Sequence, residues 1–163
     1  MKKITFTLLV ALIFGNAFAQ DAETATATAN AAADIVSPIG ISSQQDLNFG
    51  KVANNEAGTV VVATDSDFST STLSQIGSTT PTAASFNVTA ADGFSYSITL
   101  PGSVDLSNGT DDITVDEFKH DAEGRTTGTG SAQTVGVGAT LNVASAQATG
   151  NYTGTFDVTV TYE

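Results

Sequence analysis

Cysteine and tryptophan are absent from this 163-residue chain, histidine occurs once, and lysine and arginine together number five. The missing thiol excludes thiolate catalysis, a disulfide framework, cysteine-ligated zinc and iron–sulfur clusters. A single imidazole excludes a metal site built on paired histidines. Five basic residues against 17 acidic ones leave a formal charge of −12. That balance excludes nucleic acid as a partner, because neutralising phosphates needs clustered Lys and Arg. An anionic membrane surface repels the chain for the same reason. Acidity of this kind is a solubility device and says little about fold. Amphipathic helix signals are missing too, since no window repeats apolar residues at i, i+3, i+4 and i+7.

What is present begins with an address. Lys2 and Lys3 precede an apolar run from Ile4 to Phe14 broken only by Thr5 and Thr7, and Ala17-Phe18-Ala19 supplies a small-x-small cleavage site. The pattern predicts a secretory signal peptide over residues 1–19, cut to leave Gln20 first. The run is too short to span a bilayer, which takes about 20 apolar residues. No cysteine follows it to carry a lipid. Cleavage leaves 163 less 19, or 144, residues and removes two lysines, so the charge becomes −14. A domain of that size buries roughly two-thirds of its unfolded surface, enough for a core without covalent staples. The expected location is the periplasm or the extracellular cell surface, with no membrane insertion after cleavage.

Residues 20–34 form an Ala/Thr-rich leader in which Ala25, Ala27, Ala29, Ala31 and Ala33 share one parity with Ile35, Ile39 and Ile41. Period two places them on one strand face. The leader therefore reads as a donor strand or as strand A of its own domain, with a strand near Ile35 that Pro38 confines to an edge. Residues 35–163 read as the domain proper. Phe86, Val88 and Ala90 alternate up to Asp92-Gly93, and Phe94, Tyr96, Ile98 and Leu100 alternate after it, which predicts a hairpin. Ile113 and Val115 follow Asn108-Gly109, Val135 to Val143 alternate at length, and Tyr152, Phe156, Val158, Val160 and Tyr162 predict one last strand. Seven to eight strands, each apolar on one face, predict an all-β, immunoglobulin-like antiparallel sandwich. Ser66–Thr82 and His120–Ala132 read as long surface excursions, where any ligand would be met.

Reactive chemistry is thin. His120 is the sole candidate base, and no Gly-x-Ser-x-Gly elbow supplies a nucleophile. The expectation is that the protein is not an enzyme. Carboxylate pairs for glycoside cleavage are available, but the aromatic sugar platforms that accompany them lack any tryptophan. Asp116, Glu117, Asp121 and Glu123 are the carboxylates at which calcium would be sought, in a spacing that is not an EF-hand loop. No cofactor or resident metal is expected. Asn-x-Thr triplets at Asn87, Asn108 and Asn151 are no more than a Thr-rich chain produces by chance.

Several segments together resemble a family. Ile35-Val36-Ser37-Pro38-Ile39, Asp46-Leu47-Asn48-Phe49-Gly50, Phe86-Asn87-Val88-Thr89, Tyr96 to Pro101, Val137 to Val143 and Gly150 to Tyr162 are similar to the bacterial secreted domain of unknown function 4402. That resemblance implies a β-sandwich like those of spore-coat-U-like and fimbrial subunits, exported by Gram-negative bacteria. The C-terminus is also similar to chaperone–usher subunits. Tyr162 is penultimate, Gly150 is fourteenth from the end, and Phe156, Val158 and Val160 alternate between them. The resemblance implies an assembly strand made of Gly150, Tyr152, Phe156, Val158, Val160 and Tyr162. Its partners would be like subunits or a periplasmic chaperone, joined by strand addition. The alternative is a monomeric secreted adhesin or carbohydrate- or protein-binding module that uses the two long loops.

Overall fold

The computed structural model describes residues 24–163. The signal peptide expected over residues 1–19 lies outside the described residues. The chain divides into two units, Met1–Asp34 and Ile35–Glu163. In the first, every described residue is exposed and none lies in a strand. The second is an antiparallel β-sandwich with no helix among the described residues.

Nine strands build it: β1 (Gly40–Gln45), β2 (Gly58–Val62), β3 (Phe68–Thr70), β4 (Ala84–Thr89), β5 (Tyr96–Thr99), β6 (Ser103–Ser107), β7 (Asp112–His120), β8 (Ala132–Val143) and β9 (Thr159–Tyr162). Seven of them join in one sheet, in which β8 pairs with β2, β4 and β7, while β1, β3 and β6 extend it. The second sheet holds only β5 and β9, in register Tyr96↔Tyr162 and Ile98↔Val160. Two apolar clusters fill the space between. Val60, Val62, Ile113, Val115 and Leu141 centre the first, and Val88, Tyr96, Val135 and Val137 the second.

β8 serves as the hub because its alternation is the longest in the chain. Val135, Val137, Ala139, Leu141 and Val143 all turn inward and are buried. On its other face Gly136 and Gly138 have no side chain, which lets the end of β2 cross over them. A Cβ at Gly138 would meet the carbonyl of Val62, and one at Gly136 the carbonyl of Thr64. Close approach of one backbone to another is a recurring reason for glycine inside a strand.

β7 changes face halfway. Its register against β8 slips between Asp116 and Lys119, and Glu117 there has φ +49. This is a β-bulge, which inserts one residue and re-aims the side chains beyond it. Before the bulge, Ile113 and Val115 point inward; after it, Phe118 does, and it touches both apolar clusters.

Three expectations need correcting. Asp92-Gly93 makes a tight turn, with Phe94 N–H donating to Ala91 O at 3.2 Å, but the flanking runs do not form a hairpin. Thr126–Gly130 takes their backbone groups instead, through Tyr96 N to Thr126 O (2.8 Å), Gly93 N to Gly128 O (2.9 Å) and Gly130 N to Ala90 O (3.0 Å). The turn therefore carries the chain from one sheet to the other, while Asn108-Gly109 closes a hairpin between β6 and β7. The strand expected near Ile35 begins only at Gly40, with Ile35 97% exposed. Pro38 has no N–H to give a ladder there. The last strand is also shorter than expected, because Gly154–Val158 lies in no ladder and β9 starts at Thr159. Elsewhere the Ser66–Thr82 excursion holds one short strand, β3, and buries Leu73.

Tyr162 ties the ends of the domain together. Its hydroxyl donates to Ser37 O at 2.9 Å and accepts the Ala91 N–H at 2.8 Å. The ring meets Phe94 edge-on at 6.1 Å. Replacing Tyr162 with phenylalanine should cost about 1–3 kcal/mol, since it leaves a partly buried amide without an acceptor. Chemical denaturation would measure the loss, and faster exchange of the Ala91 amide would locate it.

Candidate functional site: an open groove between unequal sheets

A seven-stranded sheet faces a two-stranded one, and beyond the smaller sheet loop segments rather than strands lie over its inner face. The result is a groove of about 1240 Å³. Its floor is the inward face of three neighbouring strands, where Ile113 and Val115 of β7 and Leu141 and Val143 of β8 are buried and Val104 and Leu106 of β6 are half-buried. One wall is the connection from Asp46 to Asn54, and the other is the segment from Gln147 to Phe156.

Local chemistry fixes both walls. At one end Asn54 bridges them: its O accepts Ala146 N–H at 3.0 Å and its Nδ2 donates to Gln147 O at 2.7 Å. Tyr152 steadies the second wall by donating to Ala148 O at 2.9 Å and accepting from Gln147 Nε2 at 3.0 Å. The other end is shut by aromatic contacts. Phe156 lies 5.0 Å from Phe118 and 6.1 Å from Phe86, ring centre to ring centre. The bulge at Glu117 is what turns Phe118 to this position.

The six residues of the expected assembly strand divide between two places. Tyr152 and Phe156 line the groove, with Gly150 on the same wall against the Asn108 side chain. Val160 and Tyr162 sit in β9, and Val158 packs on the second cluster just before it. Between these groups, Gly154–Val158 makes no backbone hydrogen bond among the described residues beyond the single bridge Ser107↔Thr153 that precedes it. It is a stretch of backbone without a ladder partner beside the groove, with Gly154 packed closely against Asp105 and Leu106 of β6.

The four carboxylates at which calcium would be sought do not converge. Among the described residues no group of three or more His, Cys, Asp or Glu side chains is placed to hold a metal. Asp121 is occupied by Arg125 at 3.1 Å and by the Gly136 N–H at 2.8 Å. Glu117 accepts the Thr140 hydroxyl at 3.0 Å. Asp116 lies within the β7 ladder, and Glu123 borders a smaller cavity of about 620 Å³ together with Lys119 and His120. His120 Nδ1 accepts the Ala122 N–H at 3.2 Å, so that nitrogen is engaged as an acceptor within its own loop. Nothing there forms a nucleophile–base pair.

Sequence reasoning missed Tyr96. The side chain is completely buried, and its hydroxyl donates to Arg125 O at 3.3 Å. Burial pushes its phenol above the ordinary tyrosine value, and the Arg125 charge pulls partly back. A pKa raised by folding gives stability that is whole below the unfolded value of about 10 and is lost as pH climbs through the folded value. The denaturation midpoint should therefore fall above about pH 10, and Tyr96→Phe should remove part of that fall while leaving the profile below it parallel.

Fold and groove define a class: an antiparallel β-sandwich of two unequal sheets with a groove beside the smaller one. The chain belongs to the family described as domain of unknown function (DUF4402), whose model matches residues 39–162. No curated protein and no solved structure matches it.

Proposed function

We propose that the protein is a non-enzymatic structural subunit of the cell surface, pilin-like or coat-like, which assembles with like subunits by β-strand complementation. The observation that carries this reading is the groove. Val104 and Leu106 on its floor and Tyr152 and Phe156 on its wall are only half-buried, and one more strand in the smaller sheet would cover them. Burying those side chains is worth about 25 cal/mol for each Å² removed from water, and the unpaired backbone at Gly154–Val158 would add main-chain hydrogen bonds. A periplasmic chaperone would fill the same place before assembly. The acidic surface keeps unassembled subunits apart until that strand arrives. Export through the N-terminal segment belongs to the same reading.

Sedimentation of the chain from Gln20 onward tests it. Polymers that persist on dilution and in mild denaturant are the expected result. A monomer at every concentration would return the protein to the alternative of a binding module that works through its long loops.

A further inference from the structure

We infer that Asn108-Gly109, at the tip of the β6–β7 hairpin, is a self-modifying site, where the Gly109 backbone nitrogen displaces ammonia from the Asn108 side chain and water then opens the resulting ring to aspartate and isoaspartate.

Four observations lead there. First, Asn108 is the only asparagine of the chain that a glycine follows. Any other residue would set a Cβ beside the attacking nitrogen. Here that side is open, with nothing within 4 Å of a Cβ at Gly109, which holds φ +94. Second, the carbonyl under attack is held between two donors. Asn108 Oδ1 accepts the Thr110 N–H at 2.9 Å and the Asp111 N–H at 2.8 Å. Two backbone N–H groups on one oxygen stabilise the negative charge of a tetrahedral intermediate. Third, the attacking nitrogen has an acceptor for its proton, since Gly109 N–H donates to Ser107 Oγ at 3.2 Å. Fourth, the leaving nitrogen is untied. Asn108 Nδ2 donates no hydrogen bond among the described residues, and its neighbour is Gly150, where a Cβ would stand 3.1 Å from it. Gly109 and Thr110 are exposed, so water reaches the site.

Gly109 N bonds to Asn108 Cγ, its proton passes through the Ser107 hydroxyl to solvent, and the bond from Cγ to Nδ2 breaks. That nitrogen takes a proton from water and leaves as ammonia. A water molecule then adds to one of the two carbonyl carbons of the cyclic imide. Cleavage at Cγ gives aspartate, and cleavage at the main-chain carbonyl of residue 108 gives isoaspartate. Either product adds a carboxylate to a hairpin that already carries Asp105, Asp111 and Asp112. The aspartate keeps both N–H donors, and as an ionised acceptor it holds them more tightly. Isoaspartate lengthens the main chain by a methylene beside the Ser107↔Thr153 bridge and the bond from Asn108 N to Asp111 O (3.1 Å), which loosens the tie between the hairpin and the groove wall.

The test follows the chain from Gln20 onward through incubation in mildly alkaline buffer, by peptide mass mapping and by ammonia release. Asn108 should convert about tenfold or more faster than Asn48. The Asn48 Oδ1 also accepts a backbone N–H, from Gly50 at 2.7 Å, but a phenylalanine follows it. Conversion of Asn108 in the folded chain should be no slower than in the same chain held in urea. Ser107→Ala should slow the folded chain about threefold and leave the rate in urea unchanged, with circular dichroism matching the parent. Asn108→Gln, which would have to close a larger ring, should release no ammonia at this position. Isoaspartate should appear beside aspartate, because only the imide yields it. A folded rate far below the urea rate would overturn the inference, and so would equal conversion of Asn48 and Asn108. Aspartate alone would overturn attack by the Gly109 nitrogen. A Ser107→Ala rate equal to the parent's would overturn the part given to that hydroxyl.

Discussion

Tyr96→Ala should destabilise the domain by about 3–5 kcal/mol, the range for emptying a buried aromatic site. The ring is wholly enclosed by the second cluster, where it faces Val88, Val135 and Val137 of the large sheet. It also begins β5, one of only two strands in the smaller sheet. A cavity there removes the main weight holding the small sheet down. Domains of this kind have about 5–15 kcal/mol in total, so the variant should unfold at far lower denaturant, or fail to accumulate. Tyr96→Phe, which keeps the ring and loses one long hydrogen bond, should cost about 1 kcal/mol. Urea denaturation of the three proteins side by side separates ring from hydroxyl. Equal midpoints for all three would mean that the small sheet is not anchored through this residue.

Gly138→Val should be comparably damaging, at about 3 kcal/mol or more, for the opposite reason. The new side chain would run into the Val62 carbonyl and the Ala63 and Thr64 backbone. Main chain in a paired strand cannot swing aside as a long side chain can, so either β2 leaves the edge of β8 or β8 bends. Gly40→Ala is the control. Nothing lies within 4 Å of a Cβ at that position, and the change should fall within about 0.5 kcal/mol. Matching midpoints for the Gly138 variant and the control would show that the crossing of β2 over β8 is loose.

The layered β architecture was legible because hydrophobic alternation is a local signal. Val135 to Val143 announced β8 with its inner face already marked. The connectivity was less legible. Asp92-Gly93 carries the residue types of a two-residue hairpin, yet the partner of Tyr96 is Tyr162, far along the chain. Turn chemistry fixes the bend, while a competing segment, Thr126–Gly130, decides which strands pair. The bulge could not be read at all, since a left-handed glutamate at position 117 has no compositional mark. Gly136 and Gly138 announced something unusual in a strand, without saying which backbone would approach. The groove has no compositional mark either: it lies where a two-stranded sheet faces a seven-stranded one, an inequality set by strand pairing and not by any one residue. What the C-terminal pattern did single out, Tyr152 and Phe156, proved to be part of its wall.

The position of β8 in the chain has a kinetic consequence. Val60, Phe86 and Val115 all find their partners on it, at Leu141, Val135 and Leu141 respectively. A ribosome delivers those three strands before residues 132–143 emerge, so until then each has only its outer neighbour, β3, β1 or β6, to pair with. Folding dominated by such distant pairings is slow, in the millisecond-to-second range. The nascent polypeptide should therefore stay open until it is almost fully made, a state that passes readily through a narrow conduit and is exposed to mispairing until the hub strand arrives.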